Sequence, residues 1–400
     1  MITPAASNTG GRCRGGTRAA PRRTAAFFYA ALAAACLSSA LPAAGAGRAG
    51  ARSAVRPTGR RVPGHLVPTG PLMTPRESAT ATRLRDGKVL IAGGSNSTGV
   101  LASAELYDPR AGKFAPTGSL NVARQGATAT LLRNGEVLIA GGYGRGGIIA
   151  SAELYNPRTG TFTFTGALGT ERDSQTATLL ASGKVLVAGG DGNQGILASA
   201  ELYDPAQGRF IPTGSLHVPR AFHTATRLSN GNVLIAGGAG TRGMLASAEL
   251  YEPSKGRFVA TGSLHTARQG ARAVRLRSGK VLIAGGDGSS GALAGAELYD
   301  PRTGRFTVTG RLHAARDSFT ATLLAGGDVL IAGGNDSFSG GGSLAGCELY
   351  DPRTGRFAAA TPLGAARARQ SATRLSSGAV LIAGGRNGKG YLAAAALYRR

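Results

Sequence analysis

Beyond residue 63 one order of apolar and polar positions recurs along the chain. Read from Arg124, an apolar and threonine-rich run spans Ala127 to Leu132, Asn134-Gly135 interrupts it, and Val137-Leu138-Ile139-Ala140 leads into Gly141-Gly142. A variable loop follows, then Ala150 to Tyr155, the turn sequence Asn156-Pro157-Arg158-Thr159-Gly160, and a run starting near Phe162. Short β-prone runs bounded by Gly, Pro and Asn predict strands, here four per unit. Asn-Gly between the first two predicts a hairpin with a type I′ turn, and Asp86-Gly87 and Asn230-Gly231 repeat the signal. Helix is disfavoured, because no 3.6-residue apolar period survives this density of Gly, Pro and β-branched residues.

The unit is copied seven times, its glycine doublet beginning at residues 93, 141, 189, 237, 285, 333 and 384. The step is 48 residues until the last, which is 51, the extra residues falling in the Gly-rich loop around Ser337 to Gly342. The second run is apolar at consecutive positions, so both of its faces must be buried. Seven four-stranded antiparallel sheets set radially around an axis meet that demand and leave only short edges, so the expected fold is an all-β, seven-bladed β-propeller over residues 64–400. Leu66-Val67-Pro68-Thr69-Gly70-Pro71-Leu72 matches the fourth run of other units, whereas Tyr398-Arg399-Arg400 closes a third run. The N-terminal strand is therefore expected to complete the last blade, and loss of residues 64 to 72 to expose an edge and open the ring.

Two charged rows keep register. Arg76, Arg124, Arg172, Arg220, Arg268, Arg316 and Arg367 form one, and Glu105, Glu153, Glu201, Glu249, Glu297 and Glu348 the other, with Ala396 in the seventh slot. A residue that every blade carries is needed by the blade, so a buried Arg-Glu pair is expected rather than a ring of charge around a pore. Tyr107, Tyr155, Tyr203, Tyr251, Tyr299, Tyr350 and Tyr398 are read as core on the same ground. Ligand recognition belongs where copies differ, in the loops after each doublet and around each recurrent Arg. The former include Tyr143-Gly144-Arg145, Asp191-Gly192-Asn193-Gln194, Asp287-Gly288-Ser289, Asn335-Asp336-Ser337-Phe338 and Arg386-Asn387-Gly388-Lys389.

The glycine doublet, then Glu-Leu-Tyr-Asp-Pro, then an aromatic shortly past a Gly, resembles the kelch repeat, and the likeness covers residues 64–400. Phe114, Phe162, Phe210, Phe258, Phe306 and Phe357 stand where kelch proteins usually carry Trp. The resemblance implies that both loop sets share one face at the mouth of the central channel, where kelch proteins commonly bind partners. Matching positions are Gln125, Asp173, Gln175, Phe222, His223, Gln269, Asp317, Phe319, Arg369 and Gln370. Kelch propellers include copper oxidases resembling galactose oxidase, which need a Tyr-Cys cross-link, a second Tyr and two His. Past residue 46 only Cys347 remains, and His217, His265 and His313 sit one per blade. Core packing is the expectation for that thiol. The sialic-acid epimerase family shares the architecture too, with Glu77, Arg369 and His223 as available acid-base groups.

Charge changes the picture mainly at the N-terminus. Ten of 46 basic residues and none of 21 acidic ones lie in residues 1–62, leaving a net +15 on the rest. Arg12, Arg14, Arg18, Arg22 and Arg23 precede an apolar stretch from Ala25 to about Leu41 and small residues at cleavage spacing. Residues 1–46 thus read as an export signal, with an uncleaved anchor and a transit peptide as alternatives, and 47–63 as a basic flexible linker. Three Cys exclude a disulfide scaffold, no spacing matches zinc, and no phosphate-cradling loop is present. No cofactor is expected. The expected function is an exported, non-catalytic binding module using the loop face, its partner a protein or an acidic glycan and not a specific nucleic acid. The basic N-terminus suits transient contact with a membrane or cell surface. The alternative is a carbohydrate-active enzyme, galactose-oxidase-like or sialic-acid-epimerase-like, with its site at the channel mouth.

Overall fold

The computed structural model describes residues 64–336 and 342–400; residues 1–63, where an export signal and a linker are expected, and Ser337 and Phe338 lie outside them. Among the described residues there are seven four-stranded antiparallel sheets and no helix. In the first sheet Thr80–Arg83, Val89–Ala92, Ala104–Asp108 and Lys113–Pro116 follow one another from the innermost strand outward. The innermost strands of successive sheets pack on one another and the seventh returns to the first, which closes the propeller. Closure is also covalently crossed: His65–Thr69 is the outermost strand of the seventh blade, paired in register from His65 with Arg399 to Thr69 with Ala395.

Burial follows the apolar pattern. Val-Leu-Ile-Ala strands are buried at every position because each lies between two neighbouring sheets. One interblade cluster joins Leu228, Leu234 and Ala248 of the fourth blade to Val281, Ile283, Tyr299 and Phe306 of the fifth. Each recurrent Phe lies tilted on the Tyr opposite it, as Tyr107 on Phe114 with centroids 4.9 Å apart. The Tyr hydroxyl, buried with its ring, bonds the Thr that ends the previous blade's outer strand, Thr69 Oγ1 to Tyr107 at 2.8 Å. Phe therefore fills this slot without leaving a ring N–H to satisfy.

The hairpins form where expected but not by the expected turn. Gly135 has φ 95°, whereas Asn134 is absent from the positive-φ residues, and Leu132 N–H bonds Glu136 O while Gly135 N–H bonds Leu132 O. Arg133-Asn134-Gly135 is thus a three-residue loop with glycine alone in the left-handed region, not a type I′ turn. At the doublets glycine is required twice over. Gly93 has φ 67°, and a Cβ there would lie 2.4 Å from Arg124 O of the next blade.

The recurrent charges are internal to each blade. Arg124 Nη2 meets Glu153 Oε1 at 2.8 Å with both side chains essentially inaccessible. Arg124 Nη1 also donates to Gly141 O and Ser151 O, while Glu153 accepts the N–H groups of Asn121 and Val122. Six blades repeat the pair. In the seventh, Arg367 keeps the bonds to Gly384 O and Ala394 O, but Ala396 offers no carboxylate. Removing one partner strands a buried charge, so Glu201→Ala is expected to cost about 3–5 kcal/mol in denaturant unfolding; wild-type stability would refute the bracing role. Conversely, Ala396→Glu is expected to stabilise by about 1–3 kcal/mol through a charge-assisted bond to Arg367, seen as a raised melting temperature.

Candidate functional site

Each buried Arg opens a short loop that runs to the axis. The residue after it forms an isolated bridge with the residue after the same blade's glycine doublet, as in Asp173 with Asp191, Gln269 with Asp287 and Asp317 with Asn335. The two variable loop sets therefore meet on one face. The next residue turns left-handed in every blade: Ser78, Gly126, Ser174, Phe222, Gly270, Ser318 and Arg369 all have φ between 51° and 64°. That turn aims the backbone tangentially, so N–H groups bond the equivalent carbonyl of the preceding blade, Ser78 to Arg369, Gly126 to Ser78, Phe222 to Ser174, Gly270 to Phe222 and Arg369 to Ser318. At Ser174 the N–H turns instead to Asp173 Oδ1 at 2.5 Å. A broken hoop of backbone hydrogen bonds thus rims the channel mouth. Phe222 is the costly member, since a bulky side chain in this region carries about 1–3 kcal/mol of strain. Its ring is nonetheless 47% exposed, beside an axis where burial was available.

Buried polar groups lie at and just behind the hoop in six of the blades. Among the described residues seven buried side-chain polar atoms lack a hydrogen-bond partner, and six lie here: Glu77 Oε2, Gln175 Oε1, His223 Nδ1, Asp287 Oδ1, Asp317 Oδ1 and Gln370 Oε1. Five are oxygen acceptors. Gln175 and Gln370 spend their amide N–H groups on Ala140 O and Ala332 O, and His223 Nε2 pairs with Thr176 Oγ1 at 2.8 Å. Burial pushes His223 down to about 3, leaving it neutral.

The carboxylates are perturbed. Burial, and secondarily the charge of Asp317, pushes Asp287 up to about 7. Asp317 is itself raised by burial, opposed by its bond from Ser318 and the charges of Arg369 and Arg272. Asp173 and Asp191 are raised by burial as well. Across the junction of first and seventh blades, Glu77 Oε1 lies 3.4 Å from Arg369 Nη1 and 3.7 Å from Arg386 Nη1.

The sequence-predicted positions divide by a single residue of register. Gln125, Asp173, Gln269 and Asp317 occupy the bridge position, Phe222 and Arg369 the left-handed one, and Gln175, His223 and Gln370 the next, with their amide or imidazole ends buried behind the rim. Phe319 does not belong to the mouth surface. Its ring is wholly buried in the core between the fifth and sixth blades, against Gly285. Arg272 was missed. It replaces the Thr or Ser that begins the other innermost strands, and its Nε donates to Phe319 O at 2.7 Å. The signal was the one copy that broke a column of hydroxyl residues.

The copper centre implied by the resemblance does not fit these residues. Cys347 is buried in the sheet interior and pushed up to about 11 by burial. His217, His265 and His313 each turn Nδ1 to the buried Glu of one blade, at 2.8, 2.9 and 2.8 Å. Among the described residues no group of three or more His, Cys, Asp or Glu is placed to hold a metal.

No protein-family model matches the chain, and no curated protein gives a significant match. Among solved structures, a novel fungal alcohol oxidase of the AA5 family, determined in complex with copper, superposes with a TM-score of 0.70 at 18% identity, over 84% of this chain and 76% of its own. At that identity the likeness is one of fold. The chain is a seven-bladed β-propeller whose channel mouth gathers acceptors and carboxylates on one face.

Asp287 holds its proton more tightly folded than unfolded. Its contribution therefore favours the fold fully below the ordinary aspartate value of 3.8 and is lost as pH rises through about 7. Melting temperatures measured from pH 4 to 8 should fall less steeply for Asp287→Asn than for wild type. Parallel curves would assign the titration elsewhere.

Proposed function

We propose that this propeller is an exported binding module whose ligand, a protein segment or a glycan, seats on the loop face over the channel mouth. One observation carries the reading: buried acceptor atoms without partners stand at or just behind the rim of the channel mouth in five of the seven blades. Buried acceptors are costly unless something donates to them. Sugar hydroxyls or peptide N–H groups supply such donors. Tyr143 and Phe222, exposed beside them, offer flat faces for a sugar ring or an apolar side chain. The repeated Glu-Leu-Tyr-Asp-Pro pattern, with its kelch resemblance, and the basic apolar N-terminus support the same reading of a displayed recognition surface.

A second reading has its own support. Burial, with the charge of Asp317 second, pushes Asp287 up to about 7, a value suited to a general acid–base group acting on a carbohydrate. His223, neutral and buried, is a poor proton donor in such a scheme.

Screening the full chain on a glycan array and against extracellular proteins, followed by titration of the hits, tests both readings. Tyr143→Ala with Phe222→Ala is expected to weaken the ligand about tenfold or more. Unchanged affinity would move the site off this face. If a bound sugar is also converted, with a rate that depends on a group titrating near 7 and vanishes in Asp287→Asn while binding persists, the enzyme reading replaces the module.

A further inference from the structure

The opposite face, built from the two tight turns of each blade, carries a charge pattern that neither the mouth nor the blade cores use. The last residue of the innermost strand is Arg83, Arg227, Arg275 or Arg374 in four blades and Leu in three. Two residues on, in the turn, Arg85, Arg133 and Arg277 add three more. All seven are exposed. None has a carboxylate within ion-pair distance among the described residues.

Their arrangement is concentric with the lower end of the channel. Arg85 Nη2 donates to Arg133 O, Arg133 Nη2 to Ala181 O and Arg277 Nη2 to Ala325 O, each reaching one blade onward. Each guanidinium stem crosses the next turn's glycine, Gly135, Gly183 or Gly327, where a Cβ would stand 3.2 to 3.5 Å from the arginine Cδ. The arginines thus lie along the circumference with the remaining N–H groups of their planar forks unspent. The acids of this face are largely occupied: Asp204 by Lys184 at 3.0 Å, Asp300 by Lys280 at 3.3 Å, Asp351 by Arg353 at 3.5 Å and Asp328 by Arg400. Asp86 and Glu136 are engaged within their own turns.

Two open grooves lead outward from this ring. One, of about 860 Å³, is lined by Arg277, Asp328, Arg353, Tyr398 and Arg400; the other, of about 520 Å³, by Asn230, Lys280 and Arg302; both include Ser278. Cations and hydroxyls line both furrows, and the acids there, Asp328, Asp351 and Asp300, are paired with Arg400, Arg353 and Lys280, so the furrows suit a hydrated, chain-like anion. The exposed large apolar residues, Met73, Tyr143, Phe164, Phe222 and Val308, all lie on the loop face or the outer strands. This face therefore offers no wedge for a bilayer and no platform for stacking bases.

We propose that the turn face is a second binding surface, independent of the loop face, for an acidic polysaccharide whose carboxylates or sulfates engage the arginine ring and run into the grooves.

The test is titration of the full chain with a polyuronate oligomer at about 0.15 M salt, where diffuse attraction is largely screened. Wild type is compared with a turn-face triple, Arg275→Gln, Arg277→Gln and Arg374→Gln, and with a charge-matched loop-tip triple, Arg145→Gln, Arg242→Gln and Lys389→Gln. The turn-face triple is expected to bind roughly tenfold more weakly or worse, with the loop-tip triple close to wild type. Equal losses would mean attraction by net charge alone, and an undiminished turn-face triple would place the contact elsewhere, the basic N-terminus included; either overturns the proposal. So would phosphatidylserine vesicles or duplex DNA binding as tightly as the oligomer in a manner lost in the turn-face triple. Should the triple fail to fold, Arg275→Gln and Arg374→Gln singly, both at exposed strand ends, are read in the same way.

Discussion

The buried Arg–Glu pair is the constraint from which the rest of this propeller follows. Its guanidinium ties together three pieces of backbone and one side chain: the loop that enters the blade, the first glycine of the doublet, the start of the third strand and the carboxylate on that strand. A buried charge of either sign alone would be expensive, and mutual neutralisation with full hydrogen bonding makes the arrangement tolerable. What it secures is position. The next three residues after each Arg supply the bridge, the left-handed turn and the group behind the rim, so a pinned Arg delivers the mouth to the same place in every blade.

Much of this was legible in the chain because sevenfold copying separates scaffold from variation. Consecutive apolar residues in Val137 to Ala140 specified burial on two faces, and the unmatched strand at Leu66 specified closure. Asn134-Gly135 marked a hairpin correctly but not its loop length, since Leu132 and Glu136 close the turn with Asn134 outside the left-handed region. Phe222 and Phe319 show the limit most clearly. Both follow a recurrent Arg, yet one sits two residues on and faces solvent while the other sits three on and fills the core. A one-residue change in offset reverses the side of the backbone, and only the structure shows which offset faces solvent.

Asp287 and Arg272 were hidden for a different reason. Burial perturbs both, and the charge of Asp317, in the next blade, acts second, so their ionisation depends on how the blades close around them rather than on any one segment. A similar fold carries copper chemistry in a fungal oxidase, while here the thiol and the recurrent imidazoles are committed to the sheet interior and to the buried glutamates. Architecture and chemistry are separable in this way because a fold does not fix the sites placed on it.

The strand at His65–Thr69 has a temporal meaning as well as a spatial one. It is among the first described segments to be synthesised, yet its only sheet partner, Ala395–Arg399, is among the last. Six blades can assemble from neighbouring hairpins as the chain lengthens, but the seventh must wait for the two extremes to meet, and that long-range step carries the loop-closure entropy of the whole domain. Until then the nascent molecule presents an unlatched sheet edge that is vulnerable to pairing with other chains. Circular completion thus acts as a final checkpoint on biogenesis.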